Sequence, residues 1–143
     1  MSDLKGKVII VTGAAMGLGF AAADVLAAKG ANVTLVDYNP EALEKAKNEL
    51  SAKHPESEFL VVTADVSVEE NVKNYVDQTV QKFGKVDGLY NNAGIEGKQA
   101  PLIDYDMEVF KKVIDINLLG VYYGMKYVIP VMQKNGGGRI VNV

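Results

Sequence analysis

The 143-residue chain predicts an α/β fold built on a doubly wound parallel sheet, and three observations carry that reading. Short runs rich in Val and Ile alternate with segments of helical period, the pattern of parallel strands joined by crossover helices. Most of those runs are almost continuously apolar, as strands covered on both faces are. A glycine-rich turn stands directly between the first run and the first helical segment. With 48% hydrophobic and 23% charged residues, the chain suffices for one domain with a core and is too short for two.

The elements follow in order. Residues 7–12 form the first strand. The first helix opens at Gly17 and closes at Gly30, with Leu18, Ala22, Val25 and Leu26 on its inner face and a glycine where the chain leaves the helix. Residues 32–37 form the second strand. Asn39 then caps a helix whose first residue is Pro40 and whose inner face carries Leu43, Ala46 and Leu50. Residues 58–63 form the third strand. A capping box follows, Ser67 bonding forward and Glu70 reaching back, ahead of Val72, Val76, Val80 and Phe83. Residues 86–90 form the fourth strand. The longest helix runs from an Asp106 cap to about Gln133, bent near Pro130, and Gly136 to Gly138 turn the chain into a fifth strand at 139–143. No repeat, low-complexity tract or linker divides residues 1–143, which read as one dinucleotide-binding unit.

Several function classes fall away. The 15 Lys and Arg against 18 Asp and Glu form no long run of one sign, so nothing marks a nucleic-acid footprint. The absence of cysteine removes disulfides, thiolate nucleophiles and Cys-ligated metals, and fits a reducing compartment. His54, the single histidine, precedes Pro55 in a polar stretch and reads as an exposed loop residue, so no metal site is expected. Residues 113–132 are apolar but include Asp115, Asn117, Lys126 and Pro130, which favours a buried amphipathic helix over a membrane span. A polar start without a signal-peptide h-region points to the cytoplasm.

The turn after the first strand reads Thr12-Gly13-Ala14-Ala15-Met16-Gly17-Leu18-Gly19. Glycines there permit a tight turn and close backbone approach, and the helix N-terminus aims its partial positive charge at a pyrophosphate. Taken alone, such a turn is equally an ordinary strand-to-helix connection. Its place between a strand and a helix makes it a Rossmann-type phosphate turn, with Gly13, Met16, Gly17, Leu18 and Gly19 at the cofactor. The turn lacks the Lys-Ser or Lys-Thr of a P-loop, which disfavours a nucleoside triphosphatase. Asp37 ends the second strand, where a carboxylate either receives the adenosine ribose hydroxyls or simply forms a turn. The same charge opposes the extra phosphate of NADP, and Tyr38 and Asn39 supply no cation to pair with it, so NAD is the expected cofactor.

The TGxxxGxG turn, Asp65-Val66 after the third strand, Asn91-Asn92-Ala93-Gly94 after the fourth and Asn117 in the long helix together resemble a short-chain dehydrogenase/reductase, in the right order along the whole chain. The resemblance implies that Asp65 bonds the adenine, that the Val66 backbone frames it, and that Asn92, Ala93 and Gly94 shape the floor of the nucleotide site. Without it, Asp65 is a loop residue and the Asn-Asn-Ala-Gly stretch a turn. Asn has poor propensity inside a helix. The resemblance makes Asn117 the member of the family's catalytic group that disturbs the helix and helps to hold a water in the proton relay; the alternative is a solvent-facing Asn.

Family chemistry is hydride transfer between nicotinamide C4 and a carbinol carbon, with a Tyr as acid/base, a Lys lowering its pKa and a Ser binding the substrate oxygen. Those residues follow the fifth strand, in which residues 139–143 already lie, so the fold reads as truncated after that strand and the chain alone is expected to be inactive. Tyr122 and Lys126 have YxxxK spacing but precede that strand, and read as packing or surface residues. Gly120 and Gly124 would let another helix approach closely, and the family often uses this helix in a dimer interface. The expected protein is an NAD-dependent oxidoreductase acting on a secondary alcohol or ketone as a homodimer or homotetramer. The alternative is a non-catalytic module that binds NAD or dimerises.

Overall fold

A computed structural model describes residues 3–143. Five parallel strands, β1 (Val8–Thr12), β2 (Asn32–Asp37), β3 (Phe59–Thr63), β4 (Gly88–Asn91) and β5 (Arg139–Asn142), lie in the order β3-β2-β1-β4-β5. The order reverses direction at β1, which opens a crevice between the carboxyl ends of β1 and β4. Register is continuous across the sheet, with Val11 opposite Leu35 on one side and Tyr90 on the other.

Strand periodicity divides the core into two layers. Val11, Val33 and Leu35 pack with Ala23 and Ala27 of α1 (Gly17–Ala28) and with Leu43 and Leu50 of α2 (Pro40–Lys53). Ile10, Val36, Val62 and Leu89 pack on the other face with Val72 and Val76 of α3 (Glu69–Phe83) and with Val128 and Met132 of α5 (Gly120–Lys134). In β5, an edge strand paired with β4 alone, only Ile140 is partly buried.

Local chemistry explains two helix starts. The Asn39 side chain accepts the Ala42 N–H at 3.0 Å with Pro40 in the first turn, and Asp106 accepts from Glu108 N at 2.9 Å to start α4 (Met107–Ile114). The long helix is not one uninterrupted α-helix as expected: a π-helical segment, Asp115–Leu119, joins α4 to α5. No helix among the described residues is long and apolar enough to cross a membrane.

Three expectations are corrected. The buried stripe of α1 is Gly19, Ala23 and Ala27, whereas Leu18 and Val25 are exposed and Ala22 and Leu26 only partly covered. The helix lies so close to the sheet that only the smallest side chains fit between them. Ser67 does not cap α3, which begins at Glu69 without a side-chain cap; its hydroxyl donates to Asp65 Oδ1 at 2.6 Å, a carboxylate being the stronger acceptor. His54 is no free loop residue. It follows α2 directly, and its Nε2 lies 2.6 Å from Asp24 Oδ1 of α1, a contact across 30 residues that holds the Asp24 carboxyl below its usual range with help from Lys53.

Candidate nucleotide site

β1 delivers the chain into the turn at Thr12. Gly13 (φ +64°) and Gly17 (φ +57°) take up left-handed backbone, which other residues enter only with strain. Gly19 answers a different demand: a Cβ there would lie 2.0 Å from the Gly13 carbonyl oxygen, so α1 can seat against the turn only without one. Met16 begins α1 with no side-chain cap, and no acidic residue occupies the first turn. The amides of Gly17, Leu18 and Gly19 therefore keep their N–H groups free among the described residues, at the positive end of the helix. Met16 and Leu18 flank them, both largely exposed.

Asp37 sits against this turn. Its Oδ2 accepts the Ala15 N–H at 3.1 Å and its Oδ1 the Asn39 N–H at 3.2 Å, while Ala14 N–H bonds the Val36 carbonyl at 3.0 Å. One carboxylate thus fixes both the turn and the departure of the chain from β2. Beyond β3, Asp65 Oδ1 accepts from the Ser67 backbone N–H at 2.9 Å, and the Asp65 N–H donates to Asn71 Oδ1 at 3.1 Å. Val66 is buried beneath Gly120, where a Cβ would come within 2.8 Å of its Cγ2. Gly120 therefore accommodates this loop, not the second helix expected from the sequence. Gly124 does face α3, lying against Tyr75, and also meets Asn91.

After β4 the backbone is wired to the turn. Thr12 Oγ1 accepts the N–H groups of Asn92 and Ala93 at 3.0 and 3.1 Å, and Asn92 Nδ2 donates to the Thr12 carbonyl at 3.1 Å. Gly94 lies under Asn117, where a Cβ would be 3.3 Å from Oδ1. The π-helical segment carries Asn117, and its amide holds both backbone groups of Ile95. Asn91 Nδ2 donates to the Val121 carbonyl at 3.3 Å and to Asn142 Oδ1 at 3.0 Å, tying β4 to α5 and β5.

The residues singled out in the sequence thus line the carboxyl ends of β1, β2, β3 and β4. Thr12 and Ile95 were not among them. Thr12 had a detectable signal, a hydroxyl closing an otherwise apolar strand; Ile95 contributes only backbone and had none. Tyr122 is half exposed, and Lys126 pairs with Glu69, which also accepts from Tyr127 Oη at 2.8 Å; both hydrogen bonds hold the Glu69 carboxyl below its usual range. A separate apolar groove of about 390 Å³, lined by Ala100, Leu102, Tyr105, Met107 and Phe110, lies at the start of α4.

Residues 7–143 match the family model described as short chain dehydrogenase. The chain belongs to the short-chain dehydrogenase family. Levodione reductase of Leifsonia aquatica is 45% identical over 136 residues, 95% of this chain and 51% of the relative. The 2,5-dichloro-2,5-cyclohexadiene-1,4-diol dehydrogenase of Sphingobium indicum is 42% identical over 99% of this chain and 55% of its own length. The crystal structure of NAD+-bound xylitol dehydrogenase superposes with a TM-score of 0.94 at 42% identity, covering 99% of this chain and 54% of that one. The chain therefore spans about half the length of the relatives it matches.

Proposed function

We propose that the protein is an NAD(H)-dependent oxidoreductase that interconverts a secondary alcohol and a ketone, with residues 1–143 as its cofactor-binding part. The observation that carries this reading is the uncapped amino end of α1 standing beside the Asp37 carboxylate. The free amides of Gly17, Leu18 and Gly19 suit a pyrophosphate, and the missing Cβ atoms of Gly13 and Gly19 let the turn pack against Asn92 so that α1 seats directly on it. Asp37 is placed to accept the adenosine ribose hydroxyls and to oppose a 2′-phosphate. Asp65 and Val66 would hold the adenine, and Asn92, Ala93 and Gly94 would form the floor beneath the nucleotide. The nicotinamide supplies hydride acceptance or donation at C4. Asn117 acts as a positioning residue, fixing the chain just beyond Gly94 and helping to order a water for the proton relay.

Met107, Phe110, Ile114, Leu118, Tyr122 and Ile129 form an exposed apolar stripe along the long helix, which supports assembly with further copies as a homodimer or homotetramer. A cytoplasmic setting suits the cysteine-free chain. Calorimetric titration of the purified protein with NAD and NADP tests the proposal. NAD is expected to bind at least tenfold more tightly, because Asp37 repels the added phosphate. Equal affinity, or none for either dinucleotide, would overturn it. Oxidation of secondary alcohols by the protein encoded in the complete reading frame tests the chemistry.

A further inference from the structure

We infer that Met16 is a redox-sensitive site whose conversion to the sulfoxide obstructs dinucleotide binding, an inference that rests on the cofactor site proposed above. Met16 holds the N-cap position of α1 in extended backbone, the conformation from which a capping side chain reaches the amides of the second and third helical residues. It makes no such bond, since a thioether sulfur is a weak acceptor. Behind it the amides of the turn are taken: the Ala14 N–H bonds the Val36 carbonyl and the Ala15 N–H the Asp37 carboxylate. Ahead of it the N–H groups of Gly17, Leu18 and Gly19 have no partner among the described residues. The backbone is thus set for a cap that the side chain lacks the oxygen to make.

A hydroperoxide supplies that oxygen. A lone pair of Sδ forms the S–O bond as the O–O bond breaks, so the sulfur is oxidised and the peroxide reduced. The proton of the transferred oxygen passes to the leaving oxygen, which departs as water or an alcohol. The sulfoxide carries a polar oxygen on an unbranched, flexible chain at the N-cap, where an oxygen can receive the Leu18 or Gly19 N–H. It then occupies amides that suit a pyrophosphate, and the ligand must displace it. Exposure selects the sulfur. Met16 is 65% and Met107 59% exposed, whereas Met132 is buried and the partly buried Met125 sulfur receives the Asn142 amide at 3.5 Å. Residues 1–143 contain no cysteine, so no thiol among them intercepts the oxidant first.

The test treats the wild type and the Met16→Leu and Met107→Leu variants with hydrogen peroxide, follows each methionine by peptide mass spectrometry, and titrates ADP-ribose before and after treatment. Met16 and Met107 should gain oxygen well before Met132. Treatment should weaken ADP-ribose about fivefold in the wild type, the equilibrium weight of one capping bond, and by the same factor in Met107→Leu. Met16→Leu should keep whatever affinity it has before treatment. Methionine sulfoxide reductase should restore the wild type. Treated Met107→Leu should melt no lower than before, because a cap adds to α1; a lowered midpoint would overturn the capping role. Full oxidation of Met16 with unchanged ADP-ribose binding, or an equal loss in Met16→Leu, would overturn the switch while leaving the cofactor site standing. Failure of the untreated wild type to bind ADP-ribose would instead overturn the site and the switch together.

Discussion

The side-chain amide of Asn117 grips the backbone of Ile95 at both of its polar groups, accepting its N–H through Oδ1 at 2.9 Å and donating to its carbonyl through Nδ2 at 2.9 Å. This pairing mimics a rung of a sheet. It joins the π-helical segment of the long helix to the chain just after Gly94, which Thr12 wires in turn to the glycine turn through Asn92 and Ala93. A residue with poor helix propensity is thus retained where the helix widens, because its amide replaces backbone partners that Ile95 otherwise lacks.

Asn117→Ala should therefore destabilise the protein by about 1 kcal/mol, the loss of two hydrogen bonds at an exposed site. Asn117→Asp keeps the acceptor but sets a carboxylate against the Ile95 carbonyl, and should cost no less. Urea denaturation checks both. A change in midpoint without a change in slope is expected, since the compactness of the folded state is unaltered. Wild-type stability in Asn117→Ala would show that the clamp contributes nothing to the fold.

Gly19 and Gly17 separate two reasons for a glycine. Gly19→Ala drives a methyl group onto the Gly13 carbonyl oxygen, only 2.0 Å away and part of the backbone, so the turn or the helix must shift. Loss of measurable ADP-ribose binding and a clear fall in melting temperature are expected. Gly17→Ala meets nothing within 4 Å and bears only the strain of φ +57°, about 1–2 kcal/mol. It should fold and retain binding within about tenfold. Calorimetric titration of both variants decides the matter, and equal behaviour would mean that close packing does not govern the turn.

What the sequence disclosed was chiefly local. Asn39-Pro40 and Asp106 start helices by bonding amides two or three residues away, so their chemistry is written in adjacent letters. The glycine turn and Asp37 were readable because a strand must end where they begin. The buried face of α1 was not, since close approach to the sheet selects Gly19, Ala23 and Ala27 against the usual preference for large apolar residues inside. Ser67 had two acidic or amide partners within reach by spacing, and the nearer carboxylate, Asp65, holds it. The His54 contact with Asp24 and the Thr12 contacts with Asn92 and Ala93 span 30 and about 80 residues, separations at which no periodic pattern speaks.

Asp87 gives a prediction in pH. Burial raises its pKa, but the Val8 N–H at 2.9 Å and the Lys85 ammonium at 3.0 Å outweigh burial, with Lys7 assisting, and the carboxyl lies below its usual range. A depressed folded-state pKa means stability that is fully present above the unfolded carboxylate value of about 4 and is lost as pH falls through the folded value. Asp24 and Glu69 are depressed too and act in the same direction. Asp87→Ala should cost about 1.5–3 kcal/mol at pH 7, the range for hydrogen bonds to a charged group. Its difference from the wild type should shrink as pH drops below about 4. Thermal melts of both proteins from pH 7 to pH 3 test this, and a constant difference would remove the ionised carboxylate from the account.

Tyr75 offers a gain rather than a loss. It is fully buried between α3 and α5, and its hydroxyl has no hydrogen-bond partner among the described residues, while burial raises its pKa and keeps it protonated. A buried polar group without a partner bears the full cost of leaving water, about 1–3 kcal/mol, which the ring contacts offset. Tyr75→Phe keeps those contacts and removes the cost, so it should raise stability by about 1 kcal/mol. Gly124→Ala should act oppositely, because its Cβ would lie 2.6 Å from Asn91 Oδ1 and 3.1 Å from the Tyr75 hydroxyl. It would displace the amide that joins β4 to Val121 and Asn142. Paired melts of the two variants read the sign directly. A drop of about 1 kcal/mol in Tyr75→Phe would mean that the hydroxyl is hydrogen-bonded in solution and contributes to the fold.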